Sequence, residues 1–438
     1  MEEGNSSQKL FLIKAGIIVG SGGLIFGYDI GVIAGTLSKL GSAFNLSSYE
    51  EGLVVAILYV GSILGSVVGG PMCDYLGRWK TIHIQNILFC IGSFVTGFAT
   101  NLTMLCIGRF IVGIASAVSG IADVPYLNEI SPPEYRGVLS SQYEMAVSIG
   151  VLVSFAVALG LSGLEYGWRV AFLLPSILAI LQSCGMVLLP ESPRWLLEKG
   201  LLEKTRSALS CIYGSDSAIS GSAALRAMFL QEKQLLQQYQ YPIYLIVVIQ
   251  VLAQITGGNV IRNYAPTIFE DGGVSHTMSL VYNLLFGVVK TIFTFVSITS
   301  IDQTGRLKLL VYGIVLVGGG MTFLSICSLT SASGNISNVP AFVVGCALVY
   351  AGFGLGYGPV PWVLSAEMFP TLIRGRIMSI SLIASNIAQL VVNFLFLPMT
   401  EGVTTTGTFF IFVALNIITF FFVKKFLVET KEIAPEEI

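Results

Sequence analysis

Long apolar segments recur along the whole chain, and short polar stretches separate them. A helix that crosses a bilayer needs about 20 predominantly apolar residues. Twelve segments meet that requirement, near residues 11–33, 52–71, 82–100, 104–127, 139–162, 168–189, 242–264, 278–300, 308–330, 339–364, 376–398 and 405–427. The pattern predicts an all-α membrane protein with twelve transmembrane helices. The first segment is too long for a cleaved signal peptide, and we interpret it as a retained span.

One longer polar segment divides the chain. It follows the sixth span and is rich in Glu, Lys and Gln. We therefore predict an N-terminal six-helix half (1–189), a cytoplasmic linker with short amphipathic helices (190–241) and a C-terminal six-helix half (242–438).

Repeated loop motifs support the division into halves. The loop after the second span reads DYLGRWK and the loop after the eighth reads DQTGRLK, so both are D-x-x-G-R-x-K. The sequences EISPPEYRG and EMFPTLIRG follow the fourth and tenth spans, and ESPRW and ETKE follow the sixth and twelfth. Three signatures in the same order, six spans apart, indicate an internal duplication.

Composition and charge narrow the class of protein. Only 11% of the residues are charged and the formal net charge is -2, whereas soluble domains average about 25% charged residues. We expect no nucleic-acid partner, because the chain has no block of like charge. It has no phosphate-binding G-x4-G-K-[ST] loop, metal-ligand spacing or nucleophile constellation. We therefore expect no enzyme activity, no cofactor and no metal.

Glycine and proline cluster in every third span. The first, fourth, seventh and tenth spans contain GSGGLIFGYDIG, SGIADVP, ITGGN and GFGLGYGPVP. Transporters break helices where substrate meets backbone, at matching positions of their repeats. Alternatively, the glycines allow close helix packing. We interpret the fourfold pattern as interrupted helices.

Ionisable residues also lie inside the predicted spans. A charge at the bilayer centre is costly, so such residues usually have a partner and a function. The candidates are Asp29, Arg109, Asp123, Glu144, Arg262 and Lys290.

The loop motifs, together with PESPRW, QITGGN, GPVPWVLSAEMFP and ETK, closely resemble those of the sugar porter family of the major facilitator superfamily. SSQYEMAVSIGVLVS and FGVVK resemble the animal facilitative glucose transporters of types ten and twelve. The resemblance implies the major facilitator fold and a monomeric alternating-access carrier of a monosaccharide such as glucose, by facilitated diffusion or proton symport. A polyol or inositol proton symporter is the alternative. A non-transporting sugar sensor is less favoured, because we expect short tails.

The same resemblance implies a central substrate site. Its residues are Glu144, Gln254, Asn259, Lys290, Gly358, Trp362, Asn386 and Gln389. Glu144 and Lys290 stand where the family has neutral amides, so they either pair across the cavity or contact sugar and water independently. Gln254 and Asn259 bind sugar hydroxyls or, alternatively, join helices through hydrogen bonds.

Asp29 and Arg109 match the family's proton-coupling pair. Burial raises the pKa of a carboxyl group in general and a nearby guanidinium lowers it, so a change in their separation would link proton binding to conformation. The alternative is a static ion pair that fixes two helices.

The remaining expectations concern the two faces of the membrane. The resemblance implies a cytoplasmic gate of Asp74, Arg78, Glu129, Arg136, Glu191, Arg194, Arg306, Glu367 and Arg374. The distribution of Lys and Arg places both termini in the cytoplasm. Asn45 and Asn335 lie in glycosylation sequons on the outer side. We expect a multi-pass protein of the plasma membrane, with an endomembrane as the alternative.

Overall fold

The protein is built from α-helices, and the part of the chain that the structure describes contains no strand. The computed structural model describes residues 2–131, 136–213, 239–329, 338–369, 371–427 and 429. Large apolar side chains such as Ile17, Phe295 and Phe421 remain exposed on the outside of the bundle. Such a surface suits lipid, where no water is available and the helices form all their backbone hydrogen bonds internally.

The described residues before 214 form eight helices. They are α1 (Glu2–Phe44), α2 (Ser48–Leu76), α3 (Arg78–Gly97), α4 (Leu102–Ile130), α5 (Arg136–Gly160), α6 (Gly167–Met186), α7 (Pro193–Glu198) and α8 (Leu202–Tyr213). The short α7 and α8 lie in the predicted linker, and residues 214–238 of that linker lie outside the described residues.

The described residues after 238 form seven α-helices. They are α9 (Gln240–Ile255), α10 (Gly258–Asp271), α11 (His276–Thr304), α12 (Arg306–Leu329), α13 (Val339–Gly352), α14 (Pro359–Glu367) and α15 (Thr371–Phe426). A π-helical turn, Phe353–Tyr357, connects α13 to α14. The backbone of α15 is non-helical at Thr404, with φ of 74° and ψ of 155°, so α15 is two helices joined at a kink.

The twelve predicted spans are confirmed. Ten helical segments within the described residues are long and apolar enough to cross a membrane. The kink at Thr404 divides one of them into the eleventh and twelfth predicted spans. The third predicted span is α3, which is 20 residues long but begins with the polar sequence RWKTIHIQN.

The predicted interruption of the first and fourth spans is wrong. Both α1 and α4 are continuous helices, and α4 continues through Pro125. Gly23, Gly27, Gly31 and Gly35 recur every fourth residue along α1, and all four lie against α5. A Cβ atom added to Gly27 would come within 2.0 Å of the carbonyl oxygen of Val147. Close helix packing therefore explains these glycines.

The seventh and tenth spans are interrupted as predicted. The helix stops at Ile255 and restarts at Gly258 as α10, and Gly257 between them has a φ of 89°. In the tenth span the π-helical turn shifts the register before Pro359. These two irregular backbones surround the candidate site described below, and the two-half division of the chain remains a prediction.

Short turns between consecutive helices define two ends of the bundle. We call the end that holds the turns at Gly77 and Gly305 the motif end, because both belong to the D-x-x-G-R-x-K sequences. The turns near residues 45–47 and 272–275 lie at the opposite end.

Candidate functional site

A small cavity lies beside both interrupted helices. It is lined by Gly258, Asn259, Arg262, Lys290, Tyr350 and Phe353. Its volume of about 10 Å³ suits one water molecule and no sugar. The surrounding helices have therefore closed around a polar centre that contains two cationic side chains.

The predicted amides Gln254 and Asn259 meet across the break in the seventh span. The Asn259 Nδ2 group donates a hydrogen bond to the side-chain oxygen Oε1 of Gln254. Asn259 is 1% exposed, and its own Oδ1 is buried without a hydrogen-bond partner. One acceptor is thus left facing polar surroundings, and a buried acceptor without a partner is costly.

Glu144 and Lys290 enter the same region from α5 and α11, and their action as a compensating pair across the cavity stays a prediction. Lys290 Nζ donates to Ser148 Oγ at 3.1 Å, one turn from Glu144 along α5. No ion pair within 4.0 Å joins Lys290 to Glu144, both of which are described. Glu144 instead lies against the predicted site residue Gly358, where a Cβ would approach its Oε1 to 3.4 Å.

Three other predicted substrate residues do not line this cavity. Asn386 Nδ2 donates to Ser66 Oγ at 3.4 Å, which joins α15 to α2. Gln389 Nε2 donates to Ser385 Oγ within α15, also at 3.4 Å. Trp362 is half-buried on α14. Of the eight predicted substrate residues, Asn259 and Lys290 line the cavity, Gln254 contacts Asn259, and Glu144 lies against Gly358.

Asp29 and Arg109 form an ion pair between α1 and α4. Arg109 Nη1 lies 3.1 Å from Asp29 Oδ1, and both side chains are at most 3% exposed. The guanidinium also lies 5.8 Å from the centre of the Phe172 ring, a distance at which a cation interacts with an aromatic face. Asp29 Oδ2 is buried without a partner. The carboxylate therefore has one oxygen committed to arginine and one available to a proton.

A polar cluster occupies the motif end of the first six spans. Arg78 Nη2 lies 3.0 Å from Glu129 Oε1, and Ser192 Oγ donates to the other Glu129 oxygen. Glu191 Oε1 accepts from the backbone N–H groups of Arg78 and Trp79 at 3.1 and 3.0 Å. It thereby caps α3, since the first N–H groups of a helix have no partner within it. Burial raises the pKa of Glu191, against the effect of its backbone hydrogen bonds.

The second six spans repeat this arrangement. Arg306 Nη2 lies 2.7 Å from Glu367 Oε1 and 2.8 Å from Asp302 Oδ1. Glu429 accepts from the backbone N–H groups of Arg306 and Leu307 at 2.9 and 3.1 Å, which caps α12. The ion pairs Arg78–Glu129 and Arg306–Glu367 each lie within one predicted half of the chain.

The remaining predicted gate residues have weaker or undescribed contacts. Asp74 lies 3.9 Å from Arg78 and has a 68% exposed side chain. Arg194 lies on α7, and no ion pair of it occurs within the described part. The side chains of Arg136 and Arg374 lie outside the described residues. So does Asn335, whereas Asn45 is exposed in the turn after α1.

Three residues of these sites were not assigned a role from the sequence. From the sequence, Arg262 is recognisable only as a charge within a span. The only signal for Ser148 is its position one helical turn from Glu144 on α5. Glu429 belongs to the ETKE sequence that matches ESPRW. That internal match would have identified it as the counterpart of Glu191.

A hydrogen-bonded contact joins the two predicted halves at the opposite end. Ser38 Oγ of α1 donates to Glu270 Oε2 of α10 at 2.6 Å. Glu270 Oε1 contacts His276 Nδ1 at 2.8 Å and accepts from Ser279 Oγ at 3.0 Å. We call Ser38 and Glu270 the opposite-end link.

Comparisons with known proteins agree on one kind of protein. The family model described as "Sugar (and other) transporter" matches residues 15–438. The chain is 32% identical to a glucose transporter of Staphylococcus epidermidis over 423 residues, which cover 95% of this chain and 94% of that protein. It is also 32% identical to the major myo-inositol transporter of Bacillus subtilis over 454 residues, covering 100% and 95%. A galactose–proton symporter of Escherichia coli is 30% identical over 427 residues, covering 95% and 91%.

Solved structures give the same answer for the fold. The xylose transporter XylE of Escherichia coli in a partially occluded inward-open conformation aligns with a TM-score of 0.85 at 26% identity, covering 96% of this chain and 98% of that chain. The same proton:xylose symporter bound to 6-bromo-6-deoxy-D-glucose aligns with a TM-score of 0.84 at 27% identity, covering 98% of both chains.

Proposed function

Because the chain belongs to the sugar (and other) transporter family, we propose that it carries a monosaccharide across a membrane by alternating access and couples this movement to protons. Relatives named as transporters of glucose and as a symporter of galactose with protons support both parts of the proposal. The major myo-inositol transporter supports a polyol as the alternative substrate.

The buried pair of Asp29 and Arg109 carries the proposal of proton coupling. Protonation of Asp29 at its unpartnered Oδ2 would neutralise the carboxylate and remove the counter-charge of Arg109. An unbalanced guanidinium in a dry interior is unfavourable. A conformation that hydrates Arg109 would therefore be favoured once the proton has bound, and this is coupling by linkage.

The orientation follows from the charge distribution. We propose that the motif end faces the cytoplasm, with both termini on that side, because Lys and Arg concentrate in cytoplasmic loops. We further propose a monomer in the plasma membrane, with an endomembrane as the alternative, in which Asn45 and Asn335 are available for glycosylation. The closer likeness to animal transporters of types ten and twelve remains a prediction.

Uptake into proteoliposomes tests proton coupling directly. Purified protein is reconstituted, and labelled hexose uptake is followed with and without an inward proton gradient. We expect the gradient to drive accumulation above equilibrium. Asp29→Asn should still equilibrate the sugar but should not accumulate it, because an amide cannot take up the proton.

Glu203→Gln is the matched control, since it removes an exposed carboxylate on α8, far along the chain from the pair. It should accumulate sugar as the native chain does. Equilibration that is indifferent to the gradient in all three proteins would make Asp29 a static partner of Arg109 and the protein a facilitator. Failure of the native chain to move hexose and inositol alike would refute transport of these substrates.

A further inference from the structure

The charges around the central cavity do not balance. Arg262 of α10 and Lys290 of α11 both line the cavity, and Glu144 of α5 interacts electrostatically with both. Two cations and one anion leave one positive charge in excess. Within the described part of the chain, no carboxylate lies within 4.0 Å of Arg262 or Lys290.

Arg262 lacks the partner that a buried guanidinium requires. It is 8% exposed, and its Nε donates only a long hydrogen bond of 3.4 Å to Asn263 Oδ1. Its Nη2 is buried without a partner. A planar guanidinium can donate two parallel hydrogen bonds to one carboxylate. The Nη2 group of Arg262 is such a donor, and it has no partner.

Lys290 has no ion pair within 4.0 Å among the described residues either. It is 2% exposed and donates to a neutral hydroxyl, Ser148 Oγ. Asn259 lies three residues before Arg262, on the same face of α10, and its unpartnered Oδ1 adds an acceptor. The cavity therefore offers two cations for an anionic group and an amide oxygen for a hydroxyl.

We propose that the preferred substrate is a monosaccharide that carries one carboxylate, a hexuronate, with its carboxylate bound by Arg262 and Lys290 and a hydroxyl donating to Asn259. This assignment rests on the proposed transport function and specifies its substrate class. One carboxylate cancels the single excess charge, whereas a phosphate monoester would exceed it. A neutral hexose would leave the guanidinium uncompensated, which is costly in a dry site.

Binding measurements with matched probes test the assignment. The full-length protein is titrated with D-glucuronate, with its neutral amide D-glucuronamide, and with D-glucose and myo-inositol. We expect glucuronate to bind at least about tenfold more tightly than the other three, a difference of about 1.4 kcal/mol, since its carboxylate accepts charge-assisted hydrogen bonds. Arg262→Gln should abolish that preference, and Arg262→Lys should restore part of it. Arg206→Gln, which removes an exposed arginine on α8, should leave it unchanged.

The outcomes separate this assignment from the proposed function. Uptake of labelled glucuronate that unlabelled glucuronate inhibits, but glucuronamide does not, would support it. Tighter binding of glucose or inositol, with Arg262→Gln weakening all probes equally, would overturn the assignment and leave sugar transport intact. If Arg262→Gln fails to fold, the native protein's ranking of glucuronate against glucuronamide still decides. Binding of none of the four probes would refute both.

Discussion

The glycine of each D-x-x-G-R-x-K motif is fixed by two constraints. Gly77 and Gly305 have φ angles of 92° and 93°, a region that side chains disfavour. A Cβ at Gly77 would come within 2.3 Å of Glu191 Oε2, and one at Gly305 within 2.5 Å of Glu429 Oε2. The motif therefore preserves both a turn and the space for a capping carboxylate.

Alanine substitution tests these two constraints. We expect Gly77→Ala and Gly305→Ala each to destabilise the protein by more than the roughly 1–3 kcal/mol of backbone strain alone. Gly200→Ala is the matched control, because Gly200 has a φ of 74° but no atom within 4 Å of an added Cβ. Thermal unfolding in detergent would measure the three differences. Equal losses at all three positions would show that the carboxylates do not matter.

Helices with similar glycine patterns are built differently in the two parts of the chain. Gly257 lies in a true break between α9 and α10, whereas the glycines of α1 lie in a continuous helix against α5. The sequence showed where glycines recur but not why. A break and a close contact both require a residue without a side chain, and only the partner surface distinguishes them.

The α1–α5 contact predicts a sharp contrast between two glycines of one helix. Gly27→Ala should lower stability by about 1–3 kcal/mol, because its Cβ has no room beside the Val147 carbonyl and α1 must move away from α5. Gly20→Ala should be neutral or stabilising, because nothing lies within 4 Å of its Cβ and alanine favours helix. The two melting temperatures measure this difference, and similar values would contradict backbone contact.

At the scale of the whole molecule, the opposite end is closed by contacts between the first and second six spans. The opposite-end link joins Ser38 to Glu270 at 2.6 Å, and the rings of Tyr49 and Phe394 meet edge-on at 5.1 Å. The ion pairs Arg78–Glu129 and Arg306–Glu367 at the motif end each stay within one set of spans. Opening the opposite end therefore requires breaking the link, whereas rearrangement at the motif end does not require breaking those ion pairs.

Chemical cross-linking tests whether the opposite-end link must open. Ser38→Cys and Glu270→Cys are combined and bridged with a short reducible bifunctional thiol reagent. We expect bridging to abolish uptake and reduction to restore it. Each single variant treated with the same reagent controls for reaction at the seven native cysteines. Transport at the native rate by a fully bridged protein would show that these helices need not separate.

The sequence predicted the helical framework well, because span length and repeated motifs are local properties of the chain. It also predicted that Asp29 and Arg109 lie together, because both residues match a pair of the family that the sequence resembles. It did not predict the hydrogen bond from Lys290 to Ser148, which depends on how α5 and α11 are aligned. It missed the importance of Arg262, because an unpartnered nitrogen can be recognised only when all neighbouring groups are in place.

Helices whose backbones are in contact are expected to move together as one rigid unit. Because α1 and α5 touch along four glycines, Asp29 on α1 and Glu144 on α5 would keep a constant distance while this unit moves. Motion of this unit in the proposed transport cycle would change which side of the membrane hydrates Asp29. It would also change the distance from Glu144 to Arg262 and Lys290, which lie on other helices. Proton binding would thus depend on the hydration of Asp29, and substrate binding on the distance between Glu144 and the two cations.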